Sequence, residues 1–165
     1  MHGGNRQDTD GEGCRMFTSI LVAWDGSEHA KRALAEAVDL ARTQEASLTL
    51  LTVAPPIRIW PGPVTPPIYE DELEAAYAKI AAEGKQLVPE GLPVAVHTAA
   101  GHVGTELLKR ATAGNHDLIV MGSRGRGAIS SAVLGSSSHF VLNHATVAVL
   151  IIHETSDDPA AVQSS

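Results

Sequence analysis

Short apolar runs alternate with helix-like segments along the body of this chain, and this alternation most constrains its fold. The runs predict strands at Phe17–Trp24, Ser47–Ala54, Pro93–Thr98, Asp117–Met121 and Val147–Ile152. A segment between two of them repeats small and apolar residues every three or four positions, in the stripe Ala30, Ala33, Leu34, Ala37, Val38 and Ala41. Parallel strands require helical crossovers, and strands covered on both faces are apolar nearly throughout. The pattern therefore predicts an α/β domain with a five-stranded parallel sheet and helices on both faces.

The two ends of the chain differ from its body. Residues 1–15 and 154–165 are polar, rich in glycine, aspartate and serine, and lack apolar periodicity. We therefore expect disordered tails there. The body, residues 16–153, has the size of one ordinary domain.

Charge and hydropathy argue against two classes of partner. Twelve lysines and arginines against 19 aspartates and glutamates give a formal net charge of −7, and the basic residues are scattered singly. No basic face is therefore expected for nucleic acid. The longest purely apolar run, Val147–Ile152, is far shorter than the roughly 20 residues of a membrane-spanning helix. The amino terminus lacks a secretory signal pattern and Cys14 is the single cysteine, so we expect a cytoplasmic protein.

Four residues fall at the ends of predicted strands. Asp25, Val53, Gly101 and Gly122 each stand at a carboxyl end. In open parallel sheets, ligands bind beyond these ends. We therefore expect four separate stretches of sequence to converge on one rim.

A glycine-rich segment leaves the fourth strand and leads into a helix. Gly122-Ser123-Arg124-Gly125-Arg126-Gly127 follows the strand, and Gly135-Ser136-Ser137-Ser138 opens the helix. Glycines allow left-handed angles and close approach to a phosphate, while a helix start and serine hydroxyls supply donors. The spacing matches neither the Gly-x4-Gly-Lys-Ser/Thr loop nor the dinucleotide fingerprint. We interpret the segment as an anion-binding loop of another class, to which Arg124 adds charge-assisted hydrogen bonds.

Gly122, Gly125 and Gly135-Ser136 have the spacing Gly-x2-Gly-x9-Gly-Ser, and the first strand ends in the acidic turn Asp25-Gly26-Ser27. In these motifs the chain resembles the universal stress protein family, in its ATP-binding branch, over Phe17–His153. The resemblance implies a flavodoxin-like or Rossmann-like three-layer sandwich. It also implies a homodimer that pairs the last strand with its copy, and ATP, or AMP or ADP, with Mg²⁺ carried on the phosphates.

The same resemblance implies roles for residues at the rim. Adenine is expected near Asp25 and the backbone of Val53, ribose near Gly122, and phosphates along the glycine-rich segment. The implied nucleotide-binding residues are Ala23, Asp25, Val53, Met121, Gly122, Arg124, Gly125, Gly135, Ser136 and Ser137. Two depart from the family pattern, because proline is common at the position of Ala23 and valine at that of Ser137. Neither departure removes a phosphate donor.

Residue chemistry alone leaves other interpretations open. Asp25-Gly26 is also ordinary turn chemistry, and the serines at 136–138 beside His139 are better explained by helix capping than by nucleophilic catalysis. No metal-binding histidine pair and no nucleophile elbow occur, so no catalytic or metal-binding residue is assigned. We predict an ATP-binding regulatory dimer of stress physiology, with at most a weak ATPase activity. The alternatives are a slow ATP hydrolase or phosphotransferase, and a nucleotide-free interaction protein.

Overall fold

The structure, a computed structural model, describes residues 15–56, 67–125 and 134–153. Strands and helices alternate through these ranges in the order β1 (Ser19–Ala23), α1 (Glu28–Gln44), β2 (Ser47–Ala54), α2 (Pro67–Gln86), β3 (Val94–Ala100), α3 (Val103–Ala113), β4 (Leu118–Gly122), α4 (Ser136–His144) and β5 (Ala148–Ile152). Each strand lies within two residues of its predicted bounds. Residues 1–14 and 154–165, where tails were predicted, lie outside the described residues.

The five strands pair in parallel in the order β3-β2-β1-β4-β5. This is a doubly wound order, so the predicted Rossmann-like sheet is confirmed. β1 lies at the centre, and its residues Ile20, Leu21 and Val22 are completely buried. The direction of winding reverses between β1 and β4. A cleft is expected above the carboxyl ends of these two strands.

Helices cover both faces of the sheet and complete three layers. On one face, α1 and Ile80 of α2 pack against Ile20, Val22 and Val120. On the other face, Leu107 of α3 and Val141 of α4 belong to a second core cluster. Neighbouring residues of one strand enter different clusters because side chains alternate across a sheet. In the described ranges, no helix is long and apolar enough to cross a membrane.

The start of α1 follows from its sequence. Ser27 is the N-cap, and its hydroxyl oxygen accepts a hydrogen bond from the backbone N–H of Ala30 at 3.2 Å. The whole predicted stripe is buried: Ala30, Ala33, Leu34, Ala37, Val38 and Ala41. Four alanines let the helix backbone lie close to the sheet. The cap and the stripe together hold the first turn of α1 beside the end of β1.

At the opposite end of the sheet, where the strands begin, the side chain of Asp117 links β4 to β1. Its carboxylate accepts hydrogen bonds from the backbone N–H and the hydroxyl of Thr18 at 2.8 and 2.7 Å, and from the backbone N–H of Ser19 at 3.1 Å. Burial by itself raises the pKa of Asp117, but the hydrogen bonds from Thr18 and Ser19 outweigh burial and lower the pKa below its usual value. The charged form of Asp117 therefore stabilises the fold.

We expect Asp117→Asn to lower the free energy of unfolding at pH 7 by on the order of 2 kcal/mol, because hydrogen bonds to a charged acceptor are weakened. The folded-state pKa lies below the unfolded value. The stabilisation that ionised Asp117 provides is therefore complete above about pH 4 and is lost as the pH falls through the folded-state pKa. Urea unfolding from pH 7 downward measures it, with Asp39→Asn, an exposed change on α1, as the control. A difference that stays constant with pH would contradict this account.

Candidate functional site

A cavity of about 620 Å³ lies at the carboxyl ends of the strands. Its volume is in the range of small-molecule sites. Gly101, predicted at the rim, lines it. So do all ten residues that the resemblance implied: Ala23, Asp25, Val53, Met121, Gly122, Arg124, Gly125, Gly135, Ser136 and Ser137. The convergence of these stretches on one rim is therefore a property of the fold.

Asp25 follows β1 in a tight turn beside the cavity. Its Oδ1 accepts a hydrogen bond from the backbone N–H of Ser27 at 2.9 Å, and Gly26 has a left-handed φ of 77°. The turn interpretation that the sequence left open therefore holds. The carboxylate is only half-buried and also lines the cavity. A role in the turn and a contact with a ligand are compatible.

Hydrogen bonds hold the described parts of the glycine-rich segment against the sheet. The backbone N–H of Ser123 donates to Ile152 at 2.8 Å, and that of Gly135 donates to the carbonyl of Ser123 at 2.7 Å. The buried hydroxyl of Ser138 donates to the carbonyl of Gly122 at 3.0 Å. These bonds bring the first turn of α4 next to the end of β4. Residues 126–133, including the predicted Arg126 and Gly127, lie outside the described residues.

The first turn of α4 presents backbone donors to the cavity. Gly135 is its N-cap and makes no side-chain capping bond, so the predicted capping by the serine side chains is wrong. The hydroxyl of Ser138 serves the strand end instead. An α-helix leaves its first amides without helical acceptors, and within the described ranges those of Ser136, Ser137 and Ser138 have none elsewhere. The positive end of the helix dipole adds to this donor set.

Arg124 supplies a cation beside these amides. Its side chain is half-buried and lines the cavity. Its Nε is buried and has no hydrogen-bond partner within the described ranges. Buried donors are normally paired, with protein, water or a ligand. Arg124 is therefore a donor suited to an anion in the cavity.

Gly122, Gly125 and Gly135, the described glycines of the segment, do not adopt left-handed angles. The predicted conformational role is therefore wrong for these three. A Cβ on Gly122 would lie 2.7 Å from the Cβ of His29 and 2.9 Å from its backbone carbonyl atoms. The first turn of α1 thus approaches β4 more closely than any side chain would permit.

Asp25 and Gly125 are neighbours across the switch point. A Cβ on Gly125 would lie 2.9 Å from Oδ2 of Asp25. The resemblance implied Asp25 at the adenine end and Gly125 along the phosphates. The structure brings these two parts of the site into contact.

Sequence reasoning missed several residues that line the cavity. Trp24, the last residue of the first predicted strand, is only 2 % exposed and also borders the cavity. The additional lining residues are Ala30, Leu51, Pro55, Pro56, Tyr77, His102, Val103 and Leu134, and Ser138 of the predicted anion-binding segment lines the cavity as well. Tyr77 carries no local signal of this role, because only the packing of α2 on the sheet places it there. Among the described residues, no group of three or more His, Cys, Asp or Glu could hold a metal ion.

The fold and this rim define a doubly wound α/β protein with a cleft at its switch point, lined by the start of α4 and by Arg124. The model of the universal stress protein family matches residues 16–153, and the chain belongs to this family. A universal stress protein of Thermus aquaticus, encoded in the QAH/OAS sulfhydrylase 3′ region, is 36% identical over 141 residues, which cover 83% of this chain and 99% of the relative.

Solved structures share the fold. Universal stress protein UspA from Lactobacillus plantarum is 30% identical with a TM-score of 0.72, over 82% of this chain and 97% of that chain. A universal stress protein in complex with cAMP is 24% identical with a TM-score of 0.64, over 83% and 97% of the two chains. One from Archaeoglobus fulgidus in complex with dAMP is 23% identical with a TM-score of 0.61, over 82% and 97%.

We expect Gly122→Ala to destabilise the protein by about 1–3 kcal/mol, because the new methyl group would overlap the backbone of His29, which moves only with α1. Gly135→Ala is the comparison and should cost less, since its Cβ would lie 3.3 Å from the nearest atom, the carbonyl oxygen of Ser123, in a tight contact without overlap, and alanine replaces glycine only as an N-cap. Urea unfolding of both variants compares their free energies. An equal effect of the two substitutions would show that the α1 contact is not what requires glycine at 122.

Proposed function

We propose that the chain binds an adenine nucleotide, ATP in the first place with AMP or ADP as alternatives, and acts as a ligand-dependent regulatory dimer in the cytoplasm. The observation that carries the proposal is one cavity lined by all ten residues of the expected site, with backbone donors and Arg124 on one side. Membership of the universal stress protein family supports a role in stress physiology.

The phosphates fit the α4 side of the cavity. The amides of Ser136 and Ser137, the helix dipole and Arg124 provide donors and positive charge there. Mg²⁺ would be carried on the phosphates, as that ion usually is, and not in a cage of protein ligands.

The base fits the Asp25 side of the cavity. A carboxylate accepts hydrogen bonds from an amino group and repels phosphate, so it favours the base end of a nucleotide. The complexes of other family members with cAMP and dAMP support an adenine ligand for this fold. Because Asp25 also lies against Gly125, a bound nucleotide would either separate these two residues or bend around them.

The last strand supports the proposed dimer. β5 is an edge of the sheet in the described chain, and Leu150 is 36% exposed. Phe140 and Leu142 of α4 are exposed as well. An open apolar edge favours pairing with another strand. We propose that its partner is β5 of a second copy.

We expect ATP to bind with an affinity on the order of micromolar, about −8 kcal/mol. Asp25→Ala should weaken ATP binding about tenfold, because a charge-assisted hydrogen bond to the base is lost, and leave inorganic triphosphate nearly unaffected. Isothermal titration calorimetry with both ligands measures this. Asp25→Asn is the control, because it keeps an acceptor for the N–H of Ser27. Equal losses for ATP and triphosphate would contradict the assignment of Asp25 to the base, and absence of ATP binding by the wild type would reject the function.

Leu150→Glu should shift the protein from dimer to monomer, because it places a negative charge on each of the two paired β5 strands, and these like charges repel each other. Sedimentation equilibrium at several protein concentrations measures the change. Leu87→Glu controls for a general effect of charge, because Leu87 is also exposed but follows α2 and lies outside β5. A wild-type chain that sediments as a monomer, or a Leu150→Glu variant that remains dimeric, would contradict the proposed interface.

A further inference from the structure

Trp24 connects the acidic turn to α2. The residue lies between the end of β1 and Asp25, and its side chain is buried on the α2 face of the sheet. Its indole N–H donates a hydrogen bond of 2.6 Å to the backbone carbonyl of Ile80 in α2. A buried indole N–H normally finds such a partner. This bond joins two elements that are 56 residues apart in sequence.

Gly84 makes room for this contact. A Cβ at position 84 would lie 2.6 Å from Nε1 of Trp24, with two further indole atoms at 2.7 and 2.8 Å. Glycine inside a helix costs about 1 kcal/mol relative to alanine. The close approach of the indole explains why glycine occupies this position in spite of that cost. The indole can neither rotate nor slide along α2 without losing the bond to Ile80 or striking the helix.

The backbone of Trp24 is also held. Its N–H donates to the carbonyl of Leu51 at 2.9 Å, which extends the pairing of β1 with β2 by one residue. Asp25 is the next residue, and its carboxylate position depends on where this backbone ends. Tyr77, three residues before Ile80, lines the cavity from α2. The indole of Trp24 therefore fixes the position of α2, with Tyr77, relative to the turn at Asp25.

We propose that Trp24 is a positioning residue for the base end of the cavity: by binding Ile80 against Gly84, it sets the acidic turn and the Tyr77 wall of α2 in one fixed arrangement. This inference rests on the proposed function, because the ligand that tests it is an adenine nucleotide. It adds α2 to the elements that determine base recognition. Both N–H groups of Trp24 donate to α2 and β2, and neither donates to β4 or α4, which build the phosphate side of the cavity.

Gly84→Ala tests the proposal by forcing the indole away from α2. We expect it to weaken ATP binding about tenfold and to change the affinity for inorganic triphosphate less than twofold, as isothermal titration calorimetry measures. Trp24→Phe removes the N–H without adding an overlap and should act in the same direction, also where Gly84→Ala fails to fold. The two substitutions together should have less than their summed effect, because both break one contact.

Gly114→Ala is the matched control. A Cβ there would also overlap an aromatic ring, that of His116, but at the opposite edge of the sheet. It should leave both affinities unchanged whatever it costs in stability. In the nucleotide-free protein, the amide chemical shifts of Asp25 and Gly26 should move in Gly84→Ala and not in Gly114→Ala.

Three outcomes separate this inference from the proposed function. Wild-type protein that binds no ATP rejects the proposed function, and the amide shifts then decide whether Trp24 positions the turn. Wild-type protein that binds ATP, with Gly84→Ala and Trp24→Phe binding it equally well, overturns the inference alone. Equal losses for ATP and triphosphate in both variants also overturn it, because they indicate general damage to the site.

Discussion

The pairing of β1 with β2 on one side and β4 on the other is the constraint on which the site depends. The β1–β2 ladder continues by one bond, from Trp24 to Leu51, and the β4–β5 ladder continues by one bond, from Ser123 to Ile152. The two turns that follow therefore start from backbone that the sheet holds in place. They face each other at the switch point, where α/β sheets bind ligands. The contact of Asp25 with Gly125 is a direct result of this geometry.

Among the described helices, α1, α3 and α4 begin beside the cavity, and α1 and α4, the two next to the switch point, differ in how their first amides are bonded. α1 is capped by Ser27, whose hydroxyl oxygen occupies the N–H of Ala30. α4 has Gly135 at its N-cap, so no side chain occupies its first amides. Glycine instead of serine at an N-cap costs only a few tenths of a kcal/mol. Leaving donors open at the start of α4 is therefore a small loss in stability, and the open donors support the proposed phosphate position beside Arg124.

The order of strands and helices could be predicted from the sequence, because the periodicity of each element is a local property. The convergence of the rim residues could be predicted as well, because the carboxyl ends of parallel strands lie at the same end of the sheet. The α1 stripe was predicted in full because its periodicity is also local. Contacts that depend on how closely two elements approach could not be predicted. Gly122 faces His29 and Gly84 faces Trp24, yet each glycine could equally mark a turn or a flexible point when the chain is read alone. The hydroxyl of Ser138 turns to the carbonyl of Gly122 and not to its own helix, which only the packing of α4 on β4 reveals.

The net negative charge of the chain does not oppose the proposed anion site at this rim, because the positive groups are near and most of the negative ones are far. At physiological salt, charges beyond about 8 Å are largely screened. Among the described residues that line the cavity, Asp25 is the only carboxylate. Asp117 lies at the opposite end of the sheet, where it accepts hydrogen bonds from Thr18. The local field is thus set by the amides of α4, by Arg124 and by one carboxylate on the facing turn. In the nucleotide complex proposed above, a phosphate would be drawn to the first two and repelled by the third, and this difference in sign favours an orientation with the base towards Asp25.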